Sequence, residues 1–175
     1  MTSVSPLPTP QGTLALCALP ALSPPDRLPG GHYVVLDGVQ DPGNVGAVLR
    51  TADAFGCTGA LLLPGCADPY SLKTLRASMG AVFRTQPQHL TREAAVAACR
   101  EAGIPLLATA MSSDAADLRE ADLGASAVII GSEGQGICQT LFDAAEQKII
   151  IPMSPRCESL NAAVAATIVM WQMKR

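Results

Sequence analysis

Aromatic side chains are scarce in this chain: three Phe, two Tyr and one Trp among 175 residues, 3% in all. The hydrophobic fraction is nevertheless 49%, so a core must be built from Ala, Val, Leu and Ile, and the length suits one domain with a sizeable core. Charge is also sparse, at 15% of residues with a net of −3. That balance is unusual for an RNA binder, because phosphate contacts need Lys and Arg; a local patch can still be basic. No apolar run approaches the ~20 residues that span a bilayer, and no basic segment precedes an apolar stretch at the N-terminus, which argues against a secretory signal. Six cysteines are scattered with no C-x-x-C, which argues against a zinc site. Scattered Cys in such a chain read as reduced thiols, and the expected location is cytoplasmic. No internal repeat, no low-complexity segment and no Walker lysine are found, so a small kinase is improbable.

What is present is a regular alternation. Short runs at 33–36, 59–63, 105–109, 127–130 and 148–151 read as buried parallel strands, and a further strand is expected at 82–85. Helical spacing recurs at 44–55, 71–78, 92–102, 137–146 and 160–174, with a short turn or helix near 114–120. Thr91 and Gly103 bracket 92–102 as cap and stop. Residues 1–31 are rich in Pro and Gly and read as a loose arm with one short strand, Thr13–Leu19; residues 32–175 read as the main domain. Such alternation predicts an α/β fold, a parallel sheet with helices on both faces.

Two strands pass straight into polar loops. Ala127–Ile130 leads into Gly131-Ser132-Glu133-Gly134-Gln135-Gly136. Ile149–Ile151 leads into Pro152–Asn161, which ends in Glu158-Ser159-Leu160-Asn161 before an Ala-rich helix. Ligands of parallel sheets sit outside the carboxyl ends of strands, so the two loops predict one composite site. Glycines in the first loop let backbone N–H groups approach a ligand. Its spacing is not that of G-x-G-x-x-G, and it reads equally well as a plain strand-to-helix turn.

A second constellation lies upstream. Asp41-Pro42-Gly43-Asn44 is turn chemistry. Val45, Val48, Leu49, Ala52 and Phe55 then recur at helical spacing, with Gly56 placed as a stop. Asn44 is placed to cap this helix, and Arg50 lies about 1.7 turns further on. By pattern alone these are a cap and a solvated charge.

Taken together, three segments resemble the motifs of the SpoU (TrmH-type) RNA ribose 2′-O-methyltransferases of the SPOUT superfamily. They are Asp41-Pro42-Gly43-Asn44-Val45-Gly46 with Arg50-Thr51-Ala52-Asp53, Gly131-Ser132-Glu133-Gly134-x-Gly136, and Ile151-Pro152-Met153 with Glu158-Ser159-Leu160-Asn161. Thr9-Pro10-Gln11-Gly12, Asp68-Pro69-Tyr70-Ser71 and Arg76-Ala77-Ser78-Met79-Gly80 also fit, and the match runs over roughly 9–173. The resemblance implies a SPOUT-type domain with a C-terminal trefoil knot over roughly 127–165. It implies S-adenosyl-L-methionine as cofactor, its adenine held by backbone groups of Gly131, Ile151 and Leu160, with Thr109 and Met153 lining the pocket. It implies an RNA substrate, ribosomal RNA before transfer RNA, no metal, and a homodimer in which Arg50 completes the neighbouring subunit's site.

The implied catalytic set is Asn44, Arg50, Glu133, Ser159 and Asn161. Arg50 would position the acceptor phosphate and stabilise the developing alkoxide. Asn44, Ser159 and Asn161 would orient the acceptor, and Glu133 would hold a neighbouring loop or Arg50. Lys73, Arg76 and Arg84 would form a basic rim with Arg50. Members usually carry a small RNA-binding domain ahead of the catalytic one, for which 175 residues leave no room. Two positions depart from the pattern: Leu72 replaces a Pro before Lys73, and Pro155 stands where a Gly is expected. Pro fixes φ near about −65° and removes an N–H, which puts the local loop shape and cofactor affinity at issue. Two other readings compete. One is an RNA-binding scaffold without turnover, separable by whether the cofactor binds. The other is a SPOUT enzyme acting on a base, against which the Asn44…Arg50 and Ser159…Asn161 sets stand.

Overall fold

The computed structural model describes residues 12–19, 27–157 and 159–174. In chain order its elements are β1 (Tyr33–Asp37), α1 (Pro42–Phe55), β2 (Gly59–Leu62), α2 (Leu72–Ser78), α3 (Val82–Thr85), β3 (Gln88–His89), α4 (Arg92–Ala102), β4 (Leu106–Thr109), β5 (Ala116–Asp117), β6 (Ala127–Gly131), α5 (Gln139–Ala144), β7 (Gln147–Ile150) and α6 (Ala162–Met173). The strands form one sheet in the order β3-β2-β1-β6-β4-β7-β5. Every pairing is parallel.

The central strands are buried on both faces, which is why they read as unbroken Val, Ile and Leu runs. Val34 and Leu36 of β1 belong to a cluster with Val45, Val48 and Leu49 of α1 and Ala166, Val169 and Met170 of α6. Their neighbours Tyr33 and Val35 face the opposite way, against Ala95 and Cys99 of α4 and Leu141 of α5. The two-residue period of the strand thus divides the core into two layers, with helices on both faces as expected. None of the helices among the described residues is long and apolar enough to cross a membrane.

Local chemistry sets the helix ends. Asp41 caps α1, its Oδ1 accepting from the N–H groups of Gly43 at 2.5 Å and Asn44 at 3.2 Å, and Pro42 starts the helix without an N–H to lose. Gly56, at φ 69°, ends it in the left-handed conformation that favours glycine. Asn44 is therefore not the cap that its position suggests. It sits inside the first turn with its side chain released for other work. Against α1 lies α2, so closely that a Cβ on Gly46 would come within 2.5 Å of Ala77 Cβ and 2.7 Å of the Thr74 carbonyl oxygen.

Other expectations are corrected. Residues 82–85 form a one-turn helix and not a strand; Phe83 N–H donates to Gly80 O at 3.2 Å, a turn that curls the chain before it can extend. The strand of that region is β3, only two residues long and paired with Leu61 and Leu62. The turn or helix near 114–120 contains the edge strand β5, paired with Ile149 and Ile150 of β7. Thr13–Leu19 forms no strand; it is exposed along its length, with no ladder partner among the described residues. Residues 9–11 and Glu158 lie outside the described residues.

Candidate active site

The carboxyl ends of β4, β6 and β7 open onto one cleft. Its main part, about 390 Å³, is bounded by Thr109, Gly131, Glu133, Phe142, Ser159 and Leu160. A contiguous extension of about 140 Å³ shares Thr109, Ser159 and Leu160 and adds Ile151 and Met153. All five residues expected to hold a cofactor thus line one space. Thr109 Oγ1 donates to the Ile129 carbonyl at 2.8 Å, which ties β4 to β6. Among the described residues, no hydrogen bond takes the main-chain N–H or carbonyl of Ile151, Met153 or Leu160. Half-buried main-chain groups without partners are what a planar, hydrogen-bonding ligand requires. The donor set therefore fits the adenine of S-adenosylmethionine.

The 131–138 loop is held at both ends. Ser132 and Gly136 exchange backbone bonds, Ser132 N–H to Gly136 O at 3.1 Å and Gly136 N–H to Ser132 O at 2.9 Å. A Cβ on Gly131 would collide with the Gly136 carbonyl carbon, so this closure demands glycine. Beneath it, Asp37 is 2% exposed and accepts from Arg92 Nε and from the Cys138 N–H, each at 2.8 Å. A buried carboxylate needs such paired donors, and here they tie β1, α4 and the start of α5 to the loop.

At the rim of the cleft three side chains from distant segments connect. Asn161 Oδ1 caps α6, accepting from the N–H groups of Ala163 at 3.0 Å and Val164 at 3.2 Å. Its Nδ2 donates to Asn44 Oδ1 at 3.0 Å, and Asn44 Nδ2 donates to Glu133 Oε1 at 2.5 Å. The helix end leaves only an oxygen for the capping role, so each amide has one orientation that satisfies the whole chain. Ser159 lines the cleft without joining this relay. Arg50 is not brought to it: it is exposed on α1 and has no ion pair among the described residues.

Pro155 fits its loop. Cys157 N–H donates to Ser154 O at 2.9 Å, closing a turn whose second position suits the fixed φ of proline. The wall at Met111 and Ser112 is anchored through Asp114, which takes hydrogen bonds from Lys148 and Ser112 that lower its carboxyl to about 2. Lys148 Nζ lies 4.4 Å over the Phe142 ring. Burial raises the Cys57 and Cys99 thiols to about 11, so neither is a nucleophile near neutral pH. No group of three or more His, Cys, Asp or Glu able to hold a metal occurs among the described residues. Motif reasoning missed Met111, Phe142 and Ala165 as cleft residues; Met111 sits in a loop without a motif, and apolar residues at helix spacing such as Phe142 and Ala165 carry no signal that separates lining from core.

A profile of the SpoU rRNA Methylase family matches residues 31–171. A 23S rRNA (guanosine(2553)-2′-O)-methyltransferase, RlmP, of Bacillus subtilis is 32% identical over 99% of this chain and 68% of its own length. A putative TrmH family tRNA/rRNA methyltransferase of Staphylococcus haemolyticus is 37% identical over 81% of this chain and 57% of its own. Among solved structures, an AdoMet-bound rRNA methyltransferase from Sinorhizobium meliloti superposes with a TM-score of 0.80 at 34% identity, over 85% of this chain and 57% of that one. The SpoU methyltransferase AviRb from Streptomyces viridochromogenes, in complex with AdoMet, gives 0.76 at 31% identity over 85% and 60%. The chain thus spans between just over half and about two thirds of the length of these four relatives.

Proposed function

The chain belongs to the SpoU rRNA methylase family, and from that premise we propose that it transfers a methyl group from S-adenosyl-L-methionine to a ribose 2′-hydroxyl of RNA, ribosomal RNA before transfer RNA. The observation that carries the reading is the single cleft shared by Thr109, Gly131, Ile151, Met153 and Leu160, with the Glu133–Asn44–Asn161 relay at its rim. When bound, the cofactor supplies a sulfonium-activated methyl group, so no metal is needed. The main-chain groups of Gly131, Ile151 and Leu160 would hold its adenine. Asn44, Asn161 and Ser159 orient the acceptor, and Glu133 fixes the Asn44 amide for that task. The guanidinium of Arg50 positions the acceptor phosphate and stabilises the alkoxide as it develops.

Two finer features belong to the same proposal. The first is a homodimer in which Arg50 serves the neighbouring subunit's cleft. It is supported by Arg50, which is exposed and does not line its own cleft, and by exposed Val164 and Trp171 on α6. The second is a trefoil knot over roughly 127–165. It is supported by Ser159 and Leu160, which share a cleft with Gly131–Glu133 and Gly136, and by α6, which packs on the sheet face opposite α5. We assign 32–175 as the catalytic unit and the cytoplasm as its place of work.

Calorimetric titration with S-adenosylhomocysteine tests the cleft, and mass spectrometry of nucleosides from RNA incubated with protein and cofactor tests the reaction. Saturable binding and 2′-O-methylnucleosides are expected. Arg50→Ala should keep the binding and lose the product. Absence of binding at millimolar ligand, or undiminished methylation by Arg50→Ala, would overturn the assignment.

A further inference from the structure

We propose that the shoulder made by α2 and α3 is a stacking surface for unpaired nucleotides of the RNA, with a base laid on Phe83 and flanking phosphates held by Arg76 and Arg50. The inference rests on the RNA methyltransferase reading above and adds the form in which the substrate is presented.

The shoulder is apolar where solvent reaches it. Met79 is 69% exposed and Phe83 63%, and Leu72 at the start of α2 is exposed as well. Only three Phe occur in the chain. Phe55 packs its ring against Trp171 with centroids 5.6 Å apart, and Phe142 lies beneath Lys148. Phe83 has no ring partner among the described residues. Its support is stiff. Met79 at φ 50° and Gln86 at φ 42° are non-glycine residues in the left-handed region, and they bracket the single turn of α3. Strain of this kind persists where surrounding structure holds it, and it is found often at binding sites.

Charge says what the surface meets. From Pro69 to Arg92 the chain has no Asp or Glu, although its net charge is −3. The cations of this stretch are Lys73, Arg76, Arg84 and Arg92. Lys73, Arg84 and Arg92 are answered by Asp41, Asp53 and Asp37. Arg76 has no ion-pair partner among the described residues, and neither has Arg50. The two lie close. Gly46, Arg50 and Asp53 fall at i, i+4 and i+7 on one side of α1. Gly46 abuts Ala77 and Ser78 of α2, and Asp53 bonds Arg84 of α3. Arg50 therefore emerges between these contacts, beside the Met79–Gly80 turn. Two guanidinium groups without ion pairs on a shoulder free of acidic side chains, together with an exposed ring, match an anionic strand with planar bases. A base can reach the ring only if unpaired, since A-form duplexes bury base faces in the stack.

The test is fluorescence anisotropy with a short labelled single-stranded oligoribonucleotide of mixed sequence, and with the same strand annealed to its complement. Phe83→Ala should weaken single-strand binding about tenfold, and Phe83→Trp should restore it. Arg76→Ala should flatten the salt dependence of binding by about one phosphate contact. The duplex should bind more weakly than the single strand and ignore Phe83→Ala. Unchanged single-strand affinity in Phe83→Ala, or equal affinity for both forms, would overturn the proposal. A fall in molar mass of Phe83→Ala by light scattering would also overturn it, in favour of an interface between copies. S-adenosylhomocysteine binding is read on the same samples. Wild-type protein that fails to bind it overturns the methyltransferase reading, while a Phe83-dependent preference for single strands still supports the stacking surface.

Discussion

Asn161 serves two structures with one amide: its oxygen ends the backbone accounting of α6, and its nitrogen starts the relay to Asn44 and Glu133. These roles separate by substitution. Asn161→Asp keeps an oxygen for the Ala163 and Val164 N–H groups, and Asp caps as well as Asn. It removes the donor and sets a carboxylate oxygen against Asn44 Oδ1. The expected result is a melting temperature close to wild type with methylation much reduced. Asn161→Ala loses both, at a cost of about 1 kcal/mol for the cap. Equal loss of activity and stability in both variants, read by calorimetry and RNA methylation, would show that capping alone matters. The same scale shows why Asn44 was misplaced as a cap. Asp41 followed by Pro42 is the stronger start signal, since Pro suits the first helical position and Asp accepts from the next free N–H groups. Placing the cap at Asp41 leaves the Asn44 amide free to join the relay.

Between elements, the contact of α1 with α2 turns on Gly46. A methyl group there would meet Ala77 Cβ at 2.5 Å and two backbone atoms, the Thr74 carbonyl oxygen at 2.7 Å and the Ser78 nitrogen at 2.9 Å. Backbone cannot rotate away as a side chain can, so Gly46→Ala should destabilise by about 1–3 kcal/mol as an overpacking change, measured by urea denaturation. A variant as stable as wild type would mean that α2 moves freely on α1. How far the elements were legible depended on what fixed them. Strands β1, β4 and β6 announce themselves because burial on both faces demands apolar, mostly Val, Ile and Leu, residues. Val82, Phe83 and Thr85 have strand propensity, yet the turn from Gly80 overrides it. Gln88 and His89 become a strand only because Leu61 and Leu62 offer an edge, which no local pattern records. The two loops after β6 and β7 were legible as one site because Gly and Pro mark tight turns at strand ends, while Gly131, Ile151 and Leu160 were singled out by the family resemblance and not by pattern. The cleft was silent at Phe142 and Ala165, whose side chains would serve equally in a core.

At the scale of the whole molecule, Arg50 is exposed on α1 and bonds none of the relay residues, and the proposed homodimer would set it at the neighbouring subunit's relay. Mixing Arg50→Ala subunits with Asn161→Ala subunits should then restore part of the methylation that each homodimer lacks, because one hybrid cleft carries both defects and the other neither. Inactive mixtures, with heterodimers demonstrated by mass, would remove the shared-site geometry and leave the chemistry of each cleft standing. The sheet order has a different consequence, one of time. Strand β6 lies between β1 and β4, yet it follows both in the chain. Before residues 127–131 are made, β1 has β2 to pair with, whereas both partners of β4, β6 and β7, are still to come. Until then β1 keeps one edge of unpaired N–H and C=O groups, and residues 106–109 have no strand on either side; an open edge of this kind is one on which other strands add. Such late, long-range closure is slow because loop entropy is lost before the contacts that repay it form. The strand that carries the cleft's glycine loop is thus also the one that joins β1 to β4, and a nascent chain that ends before it has neither.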